Sequence, residues 1–178
     1  LESDLASIFP SLTGHSIKKL KQLLSYIAGS VPFTPNWQKI KQAIGVSDDR
    51  TIKNYFKYLQ DSMIITYLSQ GTTKMSALEV NEKILLSNPN LFYALTYREV
   101  EIGSLRESFF CNQLKVAHNL SLPKQGDFIV DKEWVFEVGG KKKDRRQITS
   151  EKKAYVVADD IETGVGSKIP LWLFGFLY

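Results

Sequence analysis

The spacing of hydrophobic positions changes along this chain. In the first 60 residues, apolar side chains recur every three or four positions in three segments, which Gly29 and then Gly45 separate. This spacing predicts three amphipathic helices, with Asn36 capping the second helix and Ser47 or Asp48 capping the third. Beyond residue 120, the apolar residues occur in short β-branched and aromatic runs, which predict strands.

Two apolar runs after the third helix, at residues 63–68 and 84–86, predict a pair of strands. Helix, short helix, turn, third helix and strand pair is the element order of a winged helix-turn-helix. We expect the polar face of the third helix to contact DNA, with Lys74 on the backbone. A solvated surface or a protein-binding surface would give the same pattern. The residues of that face are Arg50, Lys53, Asn54 and Lys57.

Charge is unevenly distributed. The chain carries a formal net charge of +4, and residues 15–60 contain eight Lys or Arg against two acids. Residues 61–110 contain six acids against four bases, so the excess of positive charge lies in the predicted helices. A locally basic region favours a polyanionic partner such as DNA.

The two five-residue runs at 126–130 and 134–138 predict a β-hairpin with a three-residue loop. In that hairpin Asp127 lies directly opposite Glu137. Like charges so placed destabilise a sheet, and a partly buried pair needs a shared proton or a bound cation. A Mg²⁺ ion bound by these two carboxylates would be such a cation. In the alternative interpretation, both acids reach solvent at the end of a strand.

A cationic run follows the second strand, because five of the six residues from 141 to 146 are Lys or Arg. Two acids for a metal and a lysine for the attacking water are the components of metal-assisted phosphodiester hydrolysis. Asp127 and Glu137 on consecutive strands resemble the PD-(D/E)XK nuclease-like superfamily, which carries Glu-x-Lys on the second strand. Two positions after Glu137 stands Gly139, so Lys141 is the candidate catalytic lysine.

A further helix is predicted to precede the hairpin. Ser104 and Glu107 have the spacing of a capping box, which gives Glu107 a structural interpretation. The superfamily resemblance implies a second interpretation, since such folds often place a Glu on this helix to extend the metal site. Residues 154–158 and 171–176 predict two more strands of the sheet. Gln147 lies between the basic run and those strands, where some relatives use a Gln.

Residues 51–64 fit the pattern T-hydrophobic-x-x-Y-x-x-x-L-x-x-S-hydrophobic-I, and residues 103–109 fit G-x-x-x-E-x-hydrophobic. With Asp127 in "x-D-F" and Glu137 in "x-E-V", nearly the whole chain resembles a bacterial and archaeal family. In that family a domain of unknown function follows an AAA+ type ATPase. The resemblance implies an ATPase module upstream of Leu1. This chain has no G-x-x-x-x-G-K-[ST] segment, and we expect no ATP site in it.

We therefore predict an α/β fold, with a winged helix-turn-helix over residues 1–90 and a restriction-endonuclease-like mixed sheet with flanking helices over 91–178. The expected function is the DNA-binding, nuclease-like C-terminal region of an AAA+ type ATPase, with Mg²⁺ at Asp127 and Glu137. The alternative is a catalytically inactive nuclease-like scaffold that mediates protein–protein contacts for the ATPase.

The remaining sequence features exclude several classes of protein. No apolar run reaches the roughly 18 residues that a membrane span needs. Cys111 is the single cysteine, which precludes an internal disulfide and favours a cytoplasmic location. No motif for a small-molecule cofactor is evident.

Overall fold

A computed structural model describes residues 7–10, 12–30, 36–70, 82–96 and 99–177. Lys74, which we expected to contact the DNA backbone, lies outside these residues. In the N-terminal part, three helices precede a pair of antiparallel strands. The helices are α1 (Gly14–Ala28), α2 (Trp37–Ile44) and α3 (Asp49–Asp61), and the strands are β1 (Ile65–Ser69) and β2 (Glu82–Leu86).

The caps of these helices explain where they begin. Asn36 accepts a hydrogen bond from the Lys39 amide at 3.0 Å and caps α2. Asp48 accepts from the Thr51 amide at 2.8 Å and caps α3. The cap Asn36 was predicted, and of the two caps predicted for α3, Ser47 or Asp48, the structure has Asp48. The amphipathic character predicted for α3 is also confirmed, because four of its apolar or aromatic side chains are buried: Ile52, Tyr55, Phe56 and Leu59.

The C-terminal part is a five-stranded mixed sheet with helices before it. Helix α4 (Asn90–Leu95) and helix α5 (Ile102–Leu114) precede the strands. The strands lie in chain order, antiparallel from β3 to β5 and parallel from β5 to β7. The mixed α/β character predicted from the sequence is confirmed. The strands are β3 (Leu120–Ser121), β4 (Phe128–Val130), β5 (Trp134–Gly139), β6 (Ala154–Ala158) and β7 (Lys168–Pro170).

The hairpin of β4 and β5 has the predicted three-residue loop, and Phe128 pairs with Phe136. The predicted pairing of Asp127 with Glu137 is not part of this ladder. Instead the Asp127 amide donates to the Phe136 carbonyl at 2.9 Å, so regular pairing stops at Phe128. Gly126 permits this departure, since its φ is +98° and a Cβ there would come within 2.8 Å of Ile148.

The predicted capping box on α5 is wrong. The helix begins at Ile102, two residues before Ser104, and its N-cap is Glu101. The Glu101 carboxylate accepts from the amides of Gly103 at 3.0 Å and Ser104 at 2.6 Å. Ser104 is therefore already inside the first turn, and Glu107 has no capping role.

The predicted last strand is also wrong. Leu171–Phe176 is a 3₁₀ helix, and the short strand β7 ends just before it at Pro170. Leu171 and Phe174 are buried, whereas Trp172 and Leu173 are exposed. Burial thus recurs every third residue, which is the period of a 3₁₀ helix. An uninterrupted apolar run does not reveal that period.

The hydrophobic core has a large and a small cluster on opposite faces of the sheet. The large cluster joins α1–α5 and the β1–β2 pair to the face of β5 that carries Phe136 and Val138. The small cluster covers the face that carries Val135, together with Ile148. Cys111 is buried in the large cluster. Among the described residues, no helix is long and apolar enough to cross a membrane.

Phe110 of α5 is central to the large cluster. Its ring lies 5.1 Å from that of Phe128, 5.2 Å from Phe136 and 4.8 Å from Phe174, measured between centroids. We expect Phe110→Ala to lower the free energy of unfolding by about 3–5 kcal/mol, because it removes a fully buried ring. Urea denaturation measures the change. Phe176→Ala is the matched control: Phe176 is 76% exposed, and equal losses in both variants would contradict this account of the core.

Candidate functional site

Glu137 is the fourth of the six residues of β5 and is 0% exposed. Its neighbour on the same face of the strand, Val135, packs in the small apolar cluster with Ile148. A carboxylate removed from water in such surroundings is strongly disfavoured unless other groups hydrogen-bond to it or neutralise it. The side chains around Glu137 supply such partners.

Two residues from the segment after β5 contact the Glu137 carboxylate. The Lys143 ammonium forms an ion pair with Oε1. With its amide nitrogen turned toward Glu137, Gln147 donates to both carboxylate oxygens, at 3.3 Å from Oε2. That orientation gives both ends of the Gln147 amide compatible partners. Buried Glu137 is thus held by a cation and an amide from one short loop.

Gly139 explains how Lys143 reaches this position. A Cβ on Gly139 would lie 2.8 Å from Lys143 Cδ and 2.9 Å from Cγ. The aliphatic part of Lys143 therefore fills the space into which a side chain at position 139 would project. The Lys143 amide donates to the Gly140 carbonyl at 2.9 Å, which closes the turn and directs the side chain back toward Glu137.

Asp127 lies at the same end of the hairpin. Its Oδ2 accepts a hydrogen bond from the Val138 amide at 2.8 Å, and its side chain is 19% exposed. This bond fixes the Asp127 carboxylate beside the backbone of β5, next to Glu137. Asp127 and Glu137 are therefore brought together, although through a hydrogen bond to the strand rather than through opposite positions in the ladder.

A third carboxylate comes from α5. Glu107 forms an ion pair with the Lys83 ammonium of β2, through Oε2. The same ammonium lies 3.8 Å from Asp127 Oδ1, so Lys83 is shared between two acids. We call the six residues of this region the carboxylate–lysine cluster: Lys83, Glu107, Asp127, Glu137, Lys143 and Gln147.

The surroundings shift the pKa values of several cluster members. Burial raises the pKa of Glu137, the Lys143 hydrogen bond lowers it, and the negative charge of Asp127 raises it, with a net upward shift. The pKa of Glu107 is also raised, because burial and Asp127 outweigh Lys83. For Lys143, burial lowers the pKa, but Glu137 and the other acids raise it overall.

Carboxylate oxygens are the ligands that Mg²⁺ prefers in proteins, so the donor chemistry of Glu107, Asp127 and Glu137 fits a hard divalent cation. In the arrangement observed, however, the carboxylates face lysine ammonium groups. Within the described parts of the chain, no three His, Cys, Asp or Glu side chains converge closely enough to hold a metal ion. The cluster supplies suitable ligands in a geometry that ammonium groups stabilise.

The basic run beyond β5 lies beside the cluster. Lys141, our predicted catalytic lysine, is exposed, and its carbonyl accepts from Lys168 Nζ at 3.1 Å. The lysine that contacts Glu137 is Lys143. A surface pocket beside Glu137 is lined largely by side chains of this run: Lys142, Lys143, Asp144, Arg146 and Gln147. Cationic groups thus border the buried carboxylate on its solvent side.

The predicted nucleic-acid face of α3 is solvent-facing. Arg50, Lys53, Asn54 and Lys57 are all exposed, opposite the buried face of the same helix. Exposure is what a DNA-contacting face requires, but it is also what a solvated helix face shows. The contact with DNA therefore stays a prediction.

The sequence reasoning missed Lys83 and Lys143 as members of the site. Lys83 had a usable signal, since it directly precedes three apolar residues of the same strand that are all buried, Ile84, Leu85 and Leu86. Lys143 had a weaker one, because Gly139 leaves space beside Glu137 that a nearby long side chain can fill. The choice between Lys141 and Lys143 depended on a turn that spacing alone does not define.

The fold and the cluster define an α/β protein with one buried acid, and partly buried acids and lysines around it, at one end of a mixed sheet. The chain belongs to the family described as a domain of unknown function (DUF8612), which matches residues 1–101. That match includes α1–α3 and Lys83 but not Asp127 or Glu137. Neither the curated proteins nor the solved structures provide a match to this chain.

The raised pKa of Glu137 has a consequence for stability. Its ordinary pKa is 4.5, and the stability gained from the bound proton is present below that pH and lost as pH rises through the raised pKa. Gln does not titrate, so the Glu137→Gln variant does not lose this stability as pH rises. The free energy of unfolding of the variant, relative to that of the native chain, should therefore increase from pH 4 to pH 7. Each unit of pKa difference contributes about 1.4 kcal/mol.

Urea denaturation at several pH values, in chelator-treated buffer, measures this difference. Glu133→Gln is the matched control, since it removes an exposed carboxylate of the same hairpin that pairs with Lys153. A difference for Glu137→Gln that does not change with pH, or that falls as pH rises, would contradict the upward shift of its pKa.

Proposed function

We propose that this chain binds nucleic acid and hydrolyses phosphodiester bonds with a divalent metal, at a degenerate site of the PD-(D/E)XK type. The observation that supports it most is the fully buried Glu137, which has an acid beside it and a lysine on its carboxylate. Burial of a charged group at the open end of a strand is costly for folding, so a purely structural role explains it poorly.

Glu107, Asp127 and Glu137 would supply the carboxylate ligands of Mg²⁺ after their side chains converge further than in the arrangement observed. When bound, that ion would polarise the scissile phosphate and lower the pKa of a coordinated water. Lys143 would hold positive charge beside the reacting phosphate oxygens, and its raised pKa keeps it protonated at neutral pH. Gln147 would orient the Glu137 carboxylate from its other side.

Lys143, not Lys141, is the residue we assign to the role of the missing motif lysine. Its methylene groups occupy the space beside Gly139, and its ammonium ends on Glu137. The lysine of the usual Glu-x-Lys spacing would start from that same position. The function of the motif can thus be supplied by a residue four positions further along the chain.

The N-terminal part supports a nucleic-acid substrate. Three helices followed by an antiparallel strand pair are the element order of a winged helix, and we propose that fold for residues 1–90. The exposed basic face of α3 would contact the DNA backbone and groove. The restriction-endonuclease-like description of residues 91–178 is likewise a proposal, which the mixed sheet and the position of the acids support.

A second candidate function rests on the lysines. Glu107 and Glu137 each pair with a lysine, and Lys83 also approaches Asp127. A scaffold that has lost its metal could keep its acids in this neutralised arrangement. Such a scaffold would mediate contacts between proteins, including the AAA+ type ATPase module that the sequence resemblance places upstream. The two candidates differ in whether the cluster binds a divalent cation.

The catalytic proposal predicts that the chain cleaves DNA in Mg²⁺ or Mn²⁺. Lys143→Gly should reduce the cleavage rate about 10²–10³-fold, because it removes a charge placed at the reacting phosphate. The double variant Gly139→Lys/Lys143→Gly should regain much of the rate, since the new side chain enters the vacated space from the usual motif position. Cleavage of a fluorescently labelled duplex measures both rates.

Lys141→Met is the matched control and should leave the rate within about threefold of the native chain, because Lys141 is exposed and does not contact Glu137. Loss of cleavage in Lys141→Met but not in Lys143→Gly would reverse the assignment. Absence of both cleavage and calorimetric Mn²⁺ binding in the native chain would reject catalysis and favour the scaffold.

The DNA-binding proposal predicts a salt dependence. Each phosphate contact contributes about 0.9 to the slope of log K against log salt concentration. Lys53→Gln/Lys57→Gln should therefore reduce the magnitude of that slope by about 1.8. Lys124→Gln/Lys152→Gln removes the same charge from exposed positions outside the three helices and should leave the slope unchanged. Equal slopes for all three proteins would exclude α3 as the contact.

A further inference from the structure

Lys83 joins three elements that are distant in sequence. It lies in β2, the second strand of the N-terminal pair, opposite Leu68 of β1. Its ammonium pairs with Glu107 of α5 and lies 3.8 Å from Oδ1 of Asp127, which directly precedes β4. The N-terminal part of the chain therefore contributes a charged group to the carboxylate–lysine cluster.

The position of Lys83 is enclosed and anionic. Its side chain is 17% exposed, and the side chains of Glu107 and Asp127 are 14% and 19% exposed. The ammonium also lies 5.2 Å from the centre of the Phe128 ring. Two carboxylates and an aromatic face make a site for one positive charge, and Lys83 supplies that charge from within the chain.

We propose that Lys83 is an internal counter-cation that a divalent metal must displace from Glu107 and Asp127. This inference rests on the proposed function, because it assumes that these acids are metal ligands. Lys83 is then a positioning residue: it holds the acids together in the metal-free protein and withdraws when the ion enters. The metal affinity of the native chain is accordingly lower than three carboxylates alone would give.

Physical reasoning favours competition over joint binding. A metal ion and an ammonium group bound to the same two carboxylates would lie only a few ångströms apart, and in a partly buried site their repulsion is weakly screened. Lysine can leave without moving β2, because its long side chain has several rotatable bonds and its ammonium has no fixed hydrogen-bond geometry. The strand stays paired with β1 while the charged end moves.

The test is a calorimetric titration of Mn²⁺ into the native chain and four variants, of which Glu137→Gln removes a proposed metal ligand. Lys83→Met removes the ammonium and keeps most of the apolar length of the side chain. We therefore expect this variant to bind Mn²⁺ at least about tenfold more tightly than the native chain. Lys83→Arg keeps the charge and should bind within about threefold of the native chain. Lys153→Met is the matched control.

Lys153 resembles Lys83 in its contacts but lies outside the cluster. It pairs with the Glu133 carboxylate, and its ammonium is 4.8 Å from the centre of the Trp134 ring. Lys153→Met therefore removes an ion pair and a ring contact of the same kind, at a more exposed position away from the cluster. We expect it to leave Mn²⁺ affinity unchanged, so that a general effect of net charge is separated from competition at the acids.

The possible failures are distinguishable. If the native chain and Lys83→Met bind Mn²⁺ equally, and Glu137→Gln abolishes binding, the counter-cation proposal is overturned while the metal site stands. Weaker binding by a folded Lys83→Met also overturns it, because Lys83 would then organise the site rather than compete. If neither protein binds, both proposals fall. Should Lys83→Met not fold, Lys83→Gln, which also removes the charge, is titrated instead.

Discussion

The burial of the Glu137 carboxylate is the constraint on which the arrangement around the sheet depends. A charged oxygen with no access to water must find partners within the protein, and here they come from the loop that follows its own strand. The turn after Gly139 brings Lys143 back to Oε1, and Gln147 reaches the same group from the 3₁₀ turn Arg146–Ile148. Ile148, the last residue of that turn, packs against Val135 in the small cluster. The loop from Gly140 to Ile148 thus covers one face of the sheet and also supplies the partners of the buried Glu137 carboxylate.

A second ion pair of the cluster joins the N-terminal part of the chain to the C-terminal part. Lys83 of β2 contacts Glu107 of α5. Lys115, the C-cap residue of the same helix, donates through Nζ to Thr66 Oγ1 of β1 at 3.1 Å. The Leu122 amide donates to the Ser69 carbonyl at 3.0 Å, which attaches the start of the sheet to β1. One apolar cluster runs through both parts. The predicted boundary at residue 90 stays a prediction, but the parts share a core and a charged site.

Local pattern was sufficient for elements whose burial follows a regular period. The three N-terminal helices, the caps Asn36 and Asp48, and the hairpin loop could all be read from residue spacing. Prediction from the sequence failed where the apolar pattern fits more than one kind of element, and where a contact depends on residues that are distant in the chain. The apolar run 171–176 fits either a strand or a 3₁₀ helix, and only packing against Phe110 distinguishes them. Two of the charged partners in the site, Lys83 and Lys143, come from positions whose proximity requires the folded sheet.

In the nuclease-like site that we propose, the lysine lies outside the usual motif spacing. In an extended strand, Glu-x-Lys places both side chains on one face, so the spacing is a consequence of strand geometry. Here the strand ends at Gly139, and a glycine leaves the next same-face position empty. A turn then returns a later lysine to that empty volume, where its methylene groups replace the absent side chain and its ammonium meets the same carboxylate. The ammonium of Lys143 thus lies on Glu137, where the proposed function needs a positive charge. Under that proposal a departure from the motif spacing does not remove the site, because the position of the charge, and not the spacing, carries the chemistry.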